Sequence, residues 1–100
     1  MLIPKSFNLS NRPYQVRVAK RVRGPHGVIG RVDYKMRVIN LANVNCWTGA
    51  KLPDKEISDS FWHEVVHAIL QDMGHPQYRD ETLVTEFAKR LNEVVLTAKL

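Results

Sequence analysis

Three residues with the chemistry of a metal site stand close together in the second half of the chain. His63, Glu64 and His67 form the pattern H-E-x-x-H within residues 61–74. On an α-helix, positions i and i+4 lie one above the other, so His63 and His67 can bind one metal ion while Glu64 lies beside them. Zn²⁺ binds imidazole nitrogen well, and a catalytic zinc site usually has three protein ligands and a position for water. The pattern therefore predicts a Zn²⁺ site that still lacks one ligand.

The third ligand has three candidates, all of which follow His67 in the chain. Eighteen residues separate Glu86 from His67, and Glu86 lies early in a stretch that can form a second helix. Glu81 lies in the same stretch, and His75 lies eight residues after His67. Two helices joined by a short loop would bring a glutamate of the second helix back toward the histidines. Glu86 is the ligand we predict, while Glu81 and His75 stay open as alternatives.

The spacing from the motif to Glu86 resembles that of the gluzincins, the thermolysin-like and aminopeptidase-like metallopeptidases. In that family a linker of about this length separates H-E-x-x-H from a ligand glutamate on the following helix. Residues 61–70 are also similar to small, often phage-encoded metallopeptidase-like proteins that contain little more than this core. The resemblance covers roughly residues 36–92 and is strong only at the motif.

This resemblance implies a specific set of roles for the motif residues. His63, His67 and Glu86 would be the ligands of a Zn²⁺ cofactor, and Glu64 would be the general base in peptide-bond hydrolysis. The substrate would be a peptide or a protein. Residues 1–100 would form a single zincin-like metallopeptidase domain, built as a minimal zincin core. A phage-encoded chain of this family would work in the host cytoplasm.

Two helices must position these side chains. The first is predicted to begin near Ser58 or Ser60, whose hydroxyl groups can cap a helix, and to end at Gly74. Asp80 can cap the second helix. On that helix an apolar stripe is predicted to face the core, formed by Leu83, Phe87, Leu91 and Val94.

Arg90 follows Glu86 by one turn of the second helix. At this spacing the two side chains are neighbours on the helix surface. Arg90 therefore either orients Glu86 as a metal ligand by hydrogen-bonding to its carboxylate or forms an ordinary ion pair with it on the helix surface.

The first half of the chain reads as strands. Apolar and polar residues alternate over residues 14–18 and 28–38, and residues 24–27 have turn chemistry, so the two segments are predicted to pair as an antiparallel hairpin. The alternation changes phase near residue 38, which favours a short further strand over residues 37–43. By resemblance to the zincins, that strand would be an edge strand holding extended substrate.

Within the predicted edge strand, Ile39 and Leu41 are the candidate substrate-binding residues.

The expected fold class is α+β, in which a small antiparallel sheet, made of the hairpin and the short edge strand, packs on two helices. One hundred residues suffice for a single small domain. The chain has one cysteine, Cys46, and no apolar run of the length that spans a bilayer, so we expect a cytoplasmic protein without a membrane partner.

Charge is divided unevenly along the chain. Residues 1–40 contain nine Lys or Arg against Asp33 alone, whereas residues 41–100 contain six Lys or Arg against nine Asp or Glu. A basic sheet is often only a solvated face, but clustered basic side chains also bind phosphate groups. Two alternatives to a peptidase stay open. The charge favours a basic nucleic-acid-binding protein with a structural metal, and the small size of the domain, which leaves few residues for a specificity pocket, favours a zinc-stabilised binding protein without turnover.

Overall fold

The computed structural model describes residues 3–22, 24 and 27–99 and has an α+β fold, which confirms the predicted fold class. A mixed sheet contains four strands, β1 (Ser6–Leu9), β2 (Arg12–Ala19), β3 (Gly30–Asp33) and β4 (Val38–Ala42). Two helices follow, α1 (Asp54–Asp72) and α2 (Glu81–Thr97). Within the described residues, no helix is both long and apolar enough to cross a membrane.

The strand order is β1-β2-β4-β3, and this order differs from the predicted one. β2 pairs antiparallel with β1 and parallel with β4, while β3 pairs antiparallel with β4. The predicted hairpin between residues 14–18 and 28–38 is wrong, because β2, which contains residues 14–18, and β3, which lies within residues 28–38, are on opposite sides of β4. The predicted turn at residues 24–27 includes Pro25 and His26, which lie outside the described residues.

β4 is an inner strand, so the prediction that residues 37–43 form an edge strand is wrong. Four of its five side chains are apolar, and an inner position covers more of them than an edge would. Ile39 and Leu41 are both 0% exposed and belong to the main hydrophobic core. Their side chains therefore stabilise the fold and do not contact a substrate. The edge strands of the sheet are β1 and β3.

A turn over residues 34–37 interrupts the long strand predicted for residues 28–38. Arg37 ends this turn with a φ of 55°, in the left-handed region. Its guanidinium group donates hydrogen bonds to the carbonyl oxygens of Leu9, Arg12 and Pro13, at 2.6, 3.1 and 3.3 Å. The same group lies over the Tyr14 ring, 4.3 Å from its centroid. Arg37 therefore holds the β1–β2 hairpin against the turn that precedes β4.

We expect Arg37→Ala to lower the free energy of unfolding by about 2 kcal/mol, because it removes charge-assisted hydrogen bonds and a cation–π contact. Alanine keeps the same strained φ, so the change reports on the side chain alone. Urea denaturation measures the effect, with Lys35→Ala in the same turn as the control, for which we expect less than about 0.5 kcal/mol. Equal losses in the two variants would contradict the role given to Arg37.

The helices form two further layers on one face of the sheet. α1 contacts β3 and β4 on one side and α2 on the other, so α1 is the middle layer. Phe61, Val65 and Ala68 of α1 pack into the core beneath the sheet, and Val66 packs against Val84 and Ala88 of α2. The helix that carries the motif is therefore supported from both sides.

α2 is rotated relative to the prediction. Val84, Ala88 and Asn92 are its buried residues, whereas Leu83, Phe87 and Val94 of the predicted core stripe are 37%, 57% and 61% exposed. The prediction that this stripe faces the core is wrong in that respect. The small Ala88 and the compact Val84 let α2 approach α1 closely, and the longer apolar side chains remain at the surface.

The predicted end of α1 and the predicted cap of α2 agree with the structure, but the predicted start of α1 does not. α1 begins at Asp54, after Pro53, several residues before the predicted start at Ser58 or Ser60. Gly74 follows the end of α1 with a φ of 69°, and the N–H of His75 donates to the carbonyl of Leu70, as in a glycine-terminated helix. The side chain of Asp80 caps α2 by accepting a hydrogen bond from the N–H of Leu83, so that cap is confirmed.

Candidate metal centre

α1 presents His63 and His67 on one side of the helix, one turn apart. Their Nε2 atoms lie 3.2 Å from each other, and their ring centroids are 4.8 Å apart. His67 is buried, at 5% exposure, and the side chain of His63 is 24% exposed. The helical repeat thus brings two imidazole nitrogens to one point near the surface.

Glu81 completes the group from the first turn of α2. Its Oε2 atom lies 2.9 Å from Nε2 of His63, and its Oε1 atom lies 3.0 Å from Nε2 of His67. The short connection between the helices, which Gly74 opens and Asp80 closes, returns the chain so that the start of α2 faces the motif. Among the residues that the structure describes, His63, His67 and Glu81 form a group with the side-chain types and proximity to hold a metal ion.

The second ring nitrogen of His67 fixes the orientation of the imidazole. Nδ1 lies 2.6 Å from the carbonyl oxygen of Tyr78. A carbonyl can only accept, so Nδ1–H is the donor, and Nε2 of the neutral ring carries a lone pair. Nε2 therefore faces a carboxylate oxygen of Glu81, so a protonated ring would donate to Glu81, whereas the neutral ring would offer its lone pair to a metal ion. A backbone carbonyl on the far nitrogen is the usual support of a histidine that binds a metal.

The donor atoms are close enough to share one metal ion. Nε2 of His63 and Nε2 of His67 lie 3.2 Å apart, and each lies 2.9 or 3.0 Å from a different oxygen of the Glu81 carboxylate. With one donor atom taken from each residue, all three lie within 4.8 Å of one another. The pKa of His63 is lowered, first by burial and then by the neighbouring His67, while Glu81 opposes the shift. A lowered pKa keeps the imidazole neutral, as metal binding requires.

Glu64 lies beside this group in a mostly buried position. Its Oε2 atom is 4.0 Å from Nε2 of His63, and the residue is 6% exposed. Burial, and then the negative charge of Glu81, raises the pKa of Glu64 to about 7, although a hydrogen bond from the N–H of Val32 opposes this. The carboxylate can therefore both take up and release a proton near neutral pH.

Glu64 also gives the metal-free protein a pH-dependent stability. Its pKa is higher in the folded state than the ordinary value of 4.5, so the folded state favours the protonated form. The contribution to stability is therefore present at low pH and is lost as pH rises toward about 7 and above. By pH 8 the buried charge costs roughly 3 kcal/mol.

We therefore expect Glu64→Gln to stabilise the metal-free protein at pH 8 and to change its stability little at pH 4.5. The neutral amide of Gln can still accept the hydrogen bond from Val32. Urea denaturation in the presence of a chelator measures the difference at the two pH values. A destabilised variant at pH 8 would mean that the negative charge of Glu64 is well solvated or paired.

The other predicted site residues lie away from this group. The side chain of Glu86 is 57% exposed, and its Oε1 atom lies 3.7 Å from Nη1 of Arg90. Nη1 of Arg90 also donates to the backbone carbonyl of Glu86, so the pair lies on the helix surface. Nδ1 of His75 accepts a hydrogen bond from the N–H of Gln77. The structure thus places Glu81, and neither Glu86 nor His75, beside the two histidines.

Gly30 is a residue of this site that sequence reasoning missed. A Cβ atom at Gly30 would lie 2.5 Å from Oγ of Ser60 and 3.2 Å from the side chain of Glu64. Only glycine lets β3 approach α1 this closely, and the approach brings the N–H of Val32 to Glu64. A glycine within an alternating strand pattern does signal a close approach of backbone, but it does not reveal which residues approach.

A cavity of about 360 Å³ adjoins His63 and Glu64. Its walls come from the start of β3, the first half of α1 and the middle of α2, and Gly30, Ser60 and Ala88 are among its lining residues. A space of this volume can hold part of a substrate next to the metal group.

Comparisons of the chain with models of known protein families, with curated proteins and with solved structures find no match. The description of this site therefore depends on the distances, burial and hydrogen bonds of its own residues. The resemblance to the gluzincins remains an interpretation of the motif and its spacing.

Proposed function

We propose that the protein is a zinc-dependent peptidase. The observation that carries the proposal is the convergence of Nε2 of His63, Nε2 of His67 and a carboxylate oxygen of Glu81, which all lie within 4.8 Å of one another. A nearly buried glutamate with a raised pKa, Glu64, lies next to these atoms. Two imidazoles and a carboxylate form the ligand set of known zinc hydrolases, in which the glutamate beside the first histidine is the general base.

In this proposal His63, His67 and Glu81 hold the ion, and Tyr78 keeps His67 in the ligand tautomer. Zn²⁺ bound there would act as a Lewis acid that polarises a peptide carbonyl and acidifies a water molecule. Glu64 takes the proton of the attacking water and then delivers it to the leaving amine. The hydrogen bond from Val32 holds the carboxylate of Glu64 in place during both transfers.

The outer side of β3 is the proposed place for the substrate backbone. The N–H of Ala42 donates to the carbonyl of Ile29, at 2.9 Å. Because hydrogen bonds alternate along an antiparallel pair, the backbone groups of Gly30 and Val32 then point away from β4. Glu64 already occupies the N–H of Val32, so Gly30 is the residue available to bond an extended peptide. β3 thus takes the role that was predicted for residues 37–43.

The first test is the metal content and activity of protein purified without a histidine tag. Elemental analysis is expected to find close to one zinc ion per chain. Mass spectrometry of an unfolded protein substrate is expected to find cleavage that a chelator stops and added zinc restores. A chain that stays metal-free when zinc is supplied would contradict the proposal.

We also propose a cytoplasmic location, in line with the single free cysteine, Cys46.

A second candidate function is nucleic-acid binding by the outer face of the sheet. Arg17, Asn40 and Arg31 are neighbours in register across β2, β4 and β3. Strand alternation places this row on the face opposite that of Ile39 and Val32, which pack toward α1. Basic rows of this kind bind phosphate groups with little regard to base sequence. Salt-dependent binding of duplex DNA that is lost in Arg17→Gln would support this candidate.

A further inference from the structure

An apolar groove runs between the second half of α1 and the first half of α2. Its lining is entirely apolar and consists of Val66, Ile69, Leu70, Met73, Leu83 and Phe87. The groove has a volume of about 350 Å³. Met73 and Phe87 are 68% and 57% exposed. Large apolar side chains are rarely grouped in this way on the surface of a monomer unless another surface covers them.

The apolar surface continues along α2 beyond the groove. Val94 is 61% exposed and lies two turns after Phe87 on the same side of the helix. With Leu83 and the half-buried Leu91, these residues form an exposed apolar stripe, Leu83, Phe87, Leu91 and Val94. The rotation of α2 that buries Val84 and Ala88 produces this stripe.

We propose that the groove and the exposed apolar stripe form the interface of a homodimer, in which α2 of a second copy lies antiparallel to α2. The spacing of the stripe makes it nearly self-complementary when the helix direction is reversed. In one register Leu83 lies opposite Val94 of the second copy, and Phe87 lies opposite its Leu91. A two-fold axis produces the same contacts on both copies, as the commonest oligomers require.

Charge supports the same register. Glu86 and Arg90 border the stripe, and within one chain their charged groups are exposed and 3.7 Å apart, while Arg90 also donates to the backbone carbonyl of Glu86. In the antiparallel arrangement Glu86 lies opposite Arg90 of the second copy, and the two-fold axis repeats this contact. Opposite charges at the border of an apolar seam favour one orientation of two helices over the other.

The exposed apolar side chains would supply part of the apolar area of a dimer interface. Phe87, Met73 and Val94 are each more than half exposed, and Leu83 is 37% exposed. A standard interface buries about 800 Å² on each partner, of which about 65% is apolar in homodimers. These four side chains lie together and would form the apolar centre of such an interface.

The dimer would leave the metal group accessible. The cavity beside His63 is lined by Thr85, Ala88 and Lys89 of α2, whereas the groove is lined by Leu83 and Phe87 on another side of that helix. The two sites are therefore separate, and this inference does not depend on the proposed peptidase activity.

Sedimentation velocity over about 2–200 µM protein tests the proposal, since the dimer fraction must rise with concentration. The wild type is expected to change from monomer to dimer within this range. Phe87→Glu and Val94→Glu are each expected to weaken association at least about tenfold, because each places a charge in an apolar interface. Both side chains are more than half exposed, so both variants should fold, which circular dichroism verifies.

Met36→Glu is the matched control. Met36 is 69% exposed but lies in the turn between β3 and β4, away from α2. This variant is expected to associate like the wild type. A wild type that is monomeric throughout the range would overturn the proposal, and so would equal loss of association in Met36→Glu and Phe87→Glu.

Discussion

Glu64→Gln is expected to abolish peptide hydrolysis while the protein keeps its zinc. Gln has the size of Glu and can still accept the hydrogen bond from Val32, but it cannot take a proton from water at neutral pH. Glu64 is not one of the three donors that face each other at 2.9–3.2 Å, so its loss removes no ligand. The substitution therefore separates chemistry from metal binding.

The expected loss in kcat is about 10³-fold or more, because a general base alone contributes about 10²–10⁴-fold and Glu64 acts in two proton transfers. Initial rates on a fluorogenic peptide, measured at equal zinc content, give the value. Glu93→Gln is the matched control, since Glu93 is an exposed carboxylate on α2 outside the metal group. Its kcat should equal that of the wild type.

Either of two results would count against this role of Glu64. A Glu64→Gln variant with the activity of the wild type would show that another residue is the base. A wild type that binds zinc but cleaves no peptide would instead favour the zinc-stabilised binding protein, the non-catalytic alternative that the motif leaves open. In that case Glu64→Gln would change only the pH dependence of stability.

The second large effect is expected from Glu81→Gln, which should weaken zinc binding by about 10³-fold. Loss of a residue that hydrogen-bonds to a metal ligand without contacting the metal already lowers metal affinity about 10–100-fold. Loss of a ligand carboxylate should lower the affinity further. The amide of Gln is neutral and a poorer ligand for Zn²⁺ than a carboxylate. Competition with a chromophoric zinc chelator measures the affinity of each variant.

Glu86→Gln is the decisive comparison, because the resemblance to the gluzincins assigns the ligand to Glu86 and the structure places Glu81 beside the histidines. Glu86 is exposed and faces Arg90, so its substitution should change zinc affinity by less than about twofold. The thermal stabilisation that zinc provides should follow the same order, small in Glu81→Gln and unchanged in Glu86→Gln. The opposite order would restore Glu86 as the ligand and require a different rotation of α2.

The features that could be predicted from the sequence are those decided by interactions between residues close to one another in the chain. The helical repeat places His63 and His67 on one side of α1, and Gly74 and Asp80 mark where one helix ends and the next is capped. These signals act through backbone conformation and hydrogen bonds between near neighbours, so they need no knowledge of the rest of the fold. The α+β class follows from two other local patterns, the apolar repeat of helices and the apolar–polar alternation of strands.

The identity of the third donor could not be predicted in this way. Glu81 and Glu86 both belong to the first turns of α2, and only the rotation of that helix decides which one faces α1. Packing of Val84 and Ala88 against α1 sets this rotation, and it turns Glu81 toward the histidines and Glu86 toward solvent. Glu81 directly follows the cap residue Asp80, but that position is also a common one for an acidic residue that only stabilises a helix start.

The order of the strands is the other feature that only the tertiary structure decided. Alternation of apolar residues shows that β2 and β3 are strands, but it does not show which strand lies between them. β4 takes that place because its mostly apolar side chains are best covered there, and this puts Ile39 and Leu41 in the core and leaves β3 at the edge beside Glu64. The sequence alone thus determined the helix that carries the histidines and Glu64, through contacts between near neighbours. Burial of apolar surface between distant segments decided which carboxylate and which strand join them.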